Sequence, residues 1–172
     1  MEHLIAKCRK HNPKAQRELY NMFAAKMLGV CLRYAPDRST AQDMLQEGYI
    51  KVFTKLHDLR NPNVIESWIY HIIVSTCINY LNRQLKYYEA VDEMTGSDQE
   101  PLIDEDPYAA EELMAAVAAL PVGQRLAFNL REVEGFGYDE IAAAMRCPES
   151  TVRSLLCRAK INLRETLSDI KH

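Results

Sequence analysis

The sequence predicts an all-α protein of two small helical domains joined by an acidic, flexible linker. Three observations lead there. Apolar residues recur at spacings of three and four through most of the chain, and no stretch alternates in the manner of a strand. Between Glu89 and Asp106 that periodicity fails, and Gly96, Ser97 and Pro101 interrupt a run with many carboxylates and no lysine or arginine. Finally, Gly137 to Ala159 divides into a short helical run (Tyr138 to Met145), a break at Arg146-Cys147-Pro148, and a second run from Glu149, the outline of a helix-turn-helix. The domains are therefore placed at residues 1–88 and 107–172, with 89–106 between them.

Each element has its own warrant. From Leu4 to Leu32 the pattern is helical, with Asn12-Pro13 reading as a cap followed by a first-turn proline. Leu19, Phe23, Met27 and Val30 give that stretch one buried face, and Ala35-Pro36-Asp37 ends it. Thr40 is expected to cap a second long helix, Ala41 to about His57, with Asp43 completing a capping box. Leu45, Tyr49, Val52, Phe53 and Leu56 fall within a stripe roughly 100° wide that should face the core. Nearly opposite lie Asp43, Glu47 and Ile50, with Gln46 on the flank. That face is either a solvated polar surface with one stray isoleucine or a docking stripe for a partner.

Arg60-Asn61-Pro62-Asn63 reads as a polar loop. Ser67 then opens a helix reaching about Lys86, in which Ile69, Ile72, Ile73, Val74, Ile78 and Leu81 point around most of the circumference. Trp68 has a simple core reading. At the polar end of this helix Asn79, Asn82, Arg83 and Lys86 interleave with Tyr80, Tyr87 and Tyr88, a mixture suited to single-stranded nucleic acid, whose bases stack on aromatic rings. Beyond the linker, Asp106-Pro107 reads as a cap and first turn. Leu113, Val117 and Leu120 stripe the next helix, closed by Pro121. Leu126, Leu130 and Val133 stripe a further one, stopped at Glu134-Gly135. In the helix-turn-helix, Ile141, Ala142 and Met145 should meet Val152 and Leu156. Ser150, Thr151, Arg153, Ser154 and Arg158 then point outward, where hydroxyls and guanidinium groups reach phosphates and base edges.

Composition sets bounds on function. The 48% hydrophobic and 26% charged residues of this 172-residue chain are ordinary for a folded protein and exclude wholesale disorder. No apolar run approaches the roughly 20 residues of a membrane span, and Met-Glu-His-Leu lacks a signal-peptide layout, so a cytoplasmic protein without membrane insertion is expected. The five cysteines, Cys8, Cys31, Cys77, Cys147 and Cys157, are widely spaced with no Cys-x-x-Cys pair. Buried thiols are expected, with His71 packed, His11 solvated, and no metal or cofactor.

The net charge of −3 at first argues against nucleic acid, but its distribution reverses that argument. Residues 1–88 carry 13 Lys/Arg against 7 Asp/Glu, and residues 89–107 carry 8 Asp/Glu and no Lys/Arg. Arg146 to His172 again favours basic residues, 6 to 3. Two basic surfaces flank an acidic connector, and the total hides both.

With these pieces placed, the chain resembles the extracytoplasmic-function class of bacterial sigma factors over nearly its whole length. The first domain carries the resemblance in Ala41-Gln42-Asp43-Met44-Leu45-Gln46-Glu47-Gly48-Tyr49-Ile50-Lys51-Val52-Phe53 and Ser67-Trp68-Ile69-Tyr70-His71-Ile72. The second carries it in Leu120-Pro121-Val122-Gly123-Gln124-Arg125 and in Leu130 to Ala142. It implies a subunit without catalytic chemistry of its own. Its implied partners are core RNA polymerase, through the clamp helices and flap, promoter DNA, and an anti-sigma factor. It implies that Asp43, Gln46, Glu47 and Ile50 dock on polymerase. It also implies that Arg60, Asn61, Asn63, Asn79, Asn82 and Arg83 serve the minus-ten element, and that Ser150, Thr151, Arg153, Ser154 and Arg158 read the minus-thirty-five duplex.

The chain departs from the family pattern at several positions. Arg146 stands where glycine is usual, so either the backbone there is unstrained or an arginine takes a positive φ at some cost. Pro148 replaces a serine cap. Leu155 and Cys157 occupy positions that are commonly basic or polar, and Val74 and Asn82 occupy positions that are often basic. An enzyme would need a phosphate loop, a metal cluster or a nucleophile-base grouping, and none is evident in the spacing. Two other readings remain open, a polymerase-independent helix-turn-helix regulator and a sigma-derived protein-binding module.

Overall fold

The computed structural model describes residues 1–88 and 110–170, and of residues 87, 88, 169 and 170 the backbone alone. The expected linker, the Asp106-Pro107 cap and the side chains of Tyr87 and Tyr88 lie outside the described residues. Among the described residues there are helices and tight turns and no strand. The chain divides into two compact units, Met1–Cys77 and Ile78–His172.

The first unit contains α1 (Glu2–Arg9), α2 (Pro13–Tyr34), α3 (Arg38–Lys55) and the first turns of α4 (Ile65–Tyr88). Asn12 caps α2 as expected, its side-chain oxygen accepting from the Ala15 amide at 3.1 Å. The exit of α1 is equally well defined. His11 takes φ 56°, its amide donates to Cys8 O, and the Asn12 amide donates to Lys7 O, which closes the carbonyls of the last turn.

The start of α3 requires a correction. The cap is Asp37, three residues before Thr40, and α3 begins at Arg38 rather than Ala41. The Asp37 carboxylate accepts from both the amide (2.8 Å) and the hydroxyl (3.1 Å) of Thr40, two bonds where a threonine hydroxyl would accept one. At its other end α3 stops at Lys55, and Leu56–Asp58 forms a tighter 3-10 turn.

Ile5, Leu19, Met27, Met44, Ile69 and Ile73 fill this unit's core at 1% exposure or less. Gly48 lets α3 approach α4 closely, since a Cβ there would collide with the side chain of Ile73. Cys31 and Cys77 are buried with sulfurs 3.9 Å apart. The hydrogen bond to Cys31, together with burial, pushes the Cys77 thiol far above its ordinary range, so it stays protonated. His71, expected to be packed, is exposed instead. It lies two residues from buried Ile69 and Ile73, a spacing that points it away from their face.

The second unit contains the last turns of α4, then α5 (Ala110–Ala119), α6 (Val122–Phe128), α7 (Tyr138–Met145) and α8 (Glu149–Ile170). Ala116, Val117 and Leu120 pack with Ala159, Leu163 and Leu167 along α8. Two expected stripe positions fall outside this core. Leu113 is 40% exposed near the start of α5, and Val133 is 45% exposed. Val133 leaves its stripe because the helix widens after Phe128. Residues Asn129–Val133 form a π turn in which the Glu134 amide reaches Asn129 O at 3.0 Å, and the extra residue rotates the end of the helix off the 3.6-residue register.

A residue that the sequence reading passed over organises the join between α5 and α6. Arg125 is 2% exposed. Its guanidinium donates to Ala118 O at 2.6 Å and Leu120 O at 2.9 Å, supplying donors to carbonyls at the C-terminal end of α5.

Candidate nucleic-acid interface

The helix-turn-helix has the expected boundaries. The N-terminus of α7 is closed by Glu140, whose carboxylate accepts from the Gly137 amide at 2.7 Å. Ile141, Val152 and Leu156 are fully buried and Met145 nearly so, which joins the two helices. Between them Arg146 adopts φ 58° and ψ 40°, so of the two alternatives for this position the left-handed one holds. The Cys147 amide reaches back to Ala142 O at 3.1 Å, and the Thr151 and Val152 amides bond Pro148 O at the start of α8. Left-handed backbone costs a residue with a Cβ about 1 kcal/mol that glycine does not incur, part of which glycine returns through its more flexible unfolded chain. Arg146→Gly is therefore expected to stabilise the second unit by about 0.5–1 kcal/mol, read as a raised urea midpoint at unchanged slope.

Ser150, Thr151 and Arg153 are exposed, and Ser154 and Arg158 half-buried. Four of the five come together. Ser150, Thr151, Ser154 and Arg158 line one hollow of about 530 Å³, whose apolar wall includes Leu85 and Leu155. Arg153 is held apart from them. Its guanidinium carbon lies 4.1 Å from the centre of the Tyr138 ring, and it pairs with Glu149 at 3.6 Å. Arg131 approaches the same ring at 4.7 Å and donates to Phe136 O. Neither Tyr138 nor Arg131 is among the sequence-predicted site residues, since only the folded chain brings α7, the π turn and α8 around one ring. Cys157 is buried at 3% exposure and so belongs to the core rather than to the outward face, whereas Leu155 is half-buried.

The minus-ten candidates divide in a similar way. Arg60, Asn61 and Asn63 are exposed on a short loop anchored by buried Leu59 and Ile65. Asn61 spends its side-chain oxygen inside the loop, accepting from the Asn63 amide at 3.0 Å. Asn79 and Arg83 are exposed on α4, the latter's guanidinium 5.4 Å from the Tyr80 ring. Asn82 departs from its expected surface position. It shares a stripe with Ile78, Leu81 and Leu85 and is 8% exposed. Its amide nitrogen donates to Ala144 O at 2.7 Å within the second unit, and its Oδ1 is buried without a partner.

On α3, Asp43, Gln46 and Ile50 are exposed, and Glu47 is half-buried and bonded to Lys51 at 2.8 Å. The four share one face, on which Ile50 is 62% exposed. Among the described residues there is no group of three potential metal ligands, and no helix is long and apolar enough to cross a membrane.

A helix-turn-helix presenting hydroxyls and guanidinium groups, on a chain with a second helical unit, defines a helix-turn-helix DNA-binding protein. Comparison with known proteins narrows this class. The sigma-70 region 2 family matches residues 19–86, and the sigma-70 region 4 family matches residues 110–163. The ECF RNA polymerase sigma-E factor of Escherichia coli (strain K12) is 32% identical over 170 residues, covering 91% of this chain and 88% of the relative. The RNA polymerase sigma-H factor of Pseudomonas aeruginosa is 28% identical over 175 residues, covering 92% and 89%. The sigma factor RpoE of Bartonella quintana, solved with the anti-sigma factor NepR, shares the fold with a TM-score of 0.50 at 18% identity, over 88% of this chain and 96% of that one. The chain belongs to the extracytoplasmic-function class of sigma-70 family RNA polymerase sigma factors, which direct promoter-specific transcription initiation.

Proposed function

We propose that this sigma factor engages core RNA polymerase through Asp43, Gln46, Glu47 and Ile50. The observation that supports this reading is the stripe itself, which sets carboxylates and an isoleucine left largely in water along one face of α3. Ile50 is the most exposed large hydrophobic side chain among the described residues, and a partner seated on the polar groups beside it would take it out of water. The Arg60–Asn63 loop with Asn79 and Arg83 then serves the minus-ten element, capturing unstacked bases as the duplex opens. The outward face of α8 reads the minus-thirty-five duplex. The chain works in the cytoplasm beside the polymerase, supplies specificity and no catalysis, and is held inactive by an anti-sigma factor, as its Bartonella quintana counterpart is bound by NepR.

Transcription with purified core polymerase on genomic fragments, read by start-site mapping, tests this. Defined starts that depend on the added chain are expected. Random initiation across a promoter library would overturn the reading. Within it, Glu47→Lys reverses a charge in the docking stripe and sets two lysines one helical turn apart. Affinity for core should fall about tenfold or more, the effect of a like-charge juxtaposition in an interface, with duplex affinity of the full chain unchanged. Equal core affinity would remove Glu47 from the docking surface.

A further inference from the structure

The Arg60–Asn63 loop is short, exposed and internally bonded, and a loop that traps bases loses less affinity to ordering when its own shape is set beforehand. Its two ends are fixed by the burial of Leu59 and Ile65. Its entrance is fixed by something further. Arg9, in the last turn of α1, donates from Nε to Leu56 O at 3.2 Å and from Nη2 to Leu59 O at 2.5 Å. These carbonyls open and close the 3-10 turn Leu56–Asp58 that delivers the chain into the loop. A guanidinium carries both donors in one rigid plane, so a single side chain sets the spacing of the two carbonyls. The base of this clip is itself held, since His11 and Asn12 lock the exit of α1 immediately after Arg9.

We propose that Arg9 is a positioning residue for promoter opening, clipping the Leu56–Leu59 turn so that the Arg60–Asn63 loop is presented in one conformation. This rests on the reading of that loop as the minus-ten reader. Arg9 is exposed and cationic, so a direct contact with DNA phosphate is the competing explanation. The two differ in what lysine can replace. Lys keeps the charge and would support a phosphate contact, but its single ammonium cannot reproduce the planar pair of donors.

The test compares Arg9→Ala, Arg9→Lys and Asn63→Ala in holoenzyme assembled with core polymerase. Three quantities are read: core affinity, permanganate footprinting of open complex on a promoter found by start-site mapping, and amide exchange over residues 60–64. Both Arg9 variants should accelerate exchange in the loop and reduce open complex by about tenfold, as expected when hydrogen bonds from a charged donor are removed, with core affinity and exchange elsewhere preserved. An Arg9→Lys variant as active as the parent, or loop exchange that does not change in Arg9→Ala, would overturn the proposal. So would a loss of core affinity in proportion, which would mark a merely structural role. If Asn63→Ala leaves opening intact, the loop reading itself fails. If Asn63→Ala lowers opening while both Arg9 variants do not, the loop reading stands and the clip alone is refuted.

Discussion

Arg125→Ala is expected to unfold the second unit at temperatures where the first remains folded. Arg125 is all but inaccessible, and its guanidinium serves two carbonyls at the end of α5. Truncation removes a large side chain from a packed site and leaves Ala118 O and Leu120 O without that donor. The buried Leu120 O left without a partner costs about 1–3 kcal/mol, the half-buried Ala118 O less, and the unfilled volume adds to this, giving a destabilisation of about 3–5 kcal/mol. For a unit of this size, with a total stability of order 5–15 kcal/mol, that corresponds to a fall in melting temperature of roughly 15–30 °C. Calorimetry of the full chain should show the transition of the second unit displaced and that of the first in place. Arg125→Met separates the causes. It restores much of the volume and none of the donors, so its melting temperature should lie between parent and alanine variant. A methionine variant as stable as the parent would show that packing, not hydrogen bonding, is what Arg125 supplies.

Arg125 also marks where sequence reading stops. The Asn12-Pro13 cap, the helix-turn-helix boundaries and the buried faces of α2 and α3 are local in origin. Each follows from a residue and its neighbours within one or two turns, and the spacing alone discloses them. A buried arginine is invisible to the same reasoning, because its partners are backbone carbonyls and carry no side-chain signature. The π turn at Asn129–Val133 is hidden for a different reason. One added residue per turn breaks the period on which the Val133 expectation relied. At the site, the α3 stripe was legible as a face, and the outward residues of α8 were legible from the 3.6 repeat. Asn82 is polar but buried, because its spacing from Ile78, Leu81 and Leu85 puts it on their stripe and outweighs the preference of an amide for water. The Tyr138 platform under Arg153 was not legible, since two cations around one ring arise only from tertiary packing.

That platform shapes the expected result for the face of α8 proposed to read the duplex. Arg158→Ala should lower holoenzyme occupancy of promoter duplex by about tenfold, within the roughly 1–3 kcal/mol of one guanidinium contact to a base, and Arg153→Ala should lower it by less. Before Arg153 can reach DNA it must leave, or share, the Tyr138 ring and the Glu149 carboxylate. An exposed cation–π contact is worth about 0.5–1 kcal/mol and an exposed ion pair about 0.2–1 kcal/mol. Their sum, about 0.7–2 kcal/mol, lies within or below the roughly 1–3 kcal/mol of a good bidentate base contact, so the ring and the carboxylate offset part of the proposed DNA contact and restrict where the guanidinium starts. Glu149→Gln should then strengthen duplex binding modestly, because it removes both a competitor for Arg153 and a negative charge beside the phosphates. Salt dependence tells the two arginines' roles apart. Removing a bond to phosphate reduces the slope of log affinity against log salt by about one, whereas removing a bond to a base relaxes sequence preference. Duplex affinity, salt slope and sequence preference all unchanged in the Arg153→Ala, Arg158→Ala double variant would move the minus-thirty-five reader off α8.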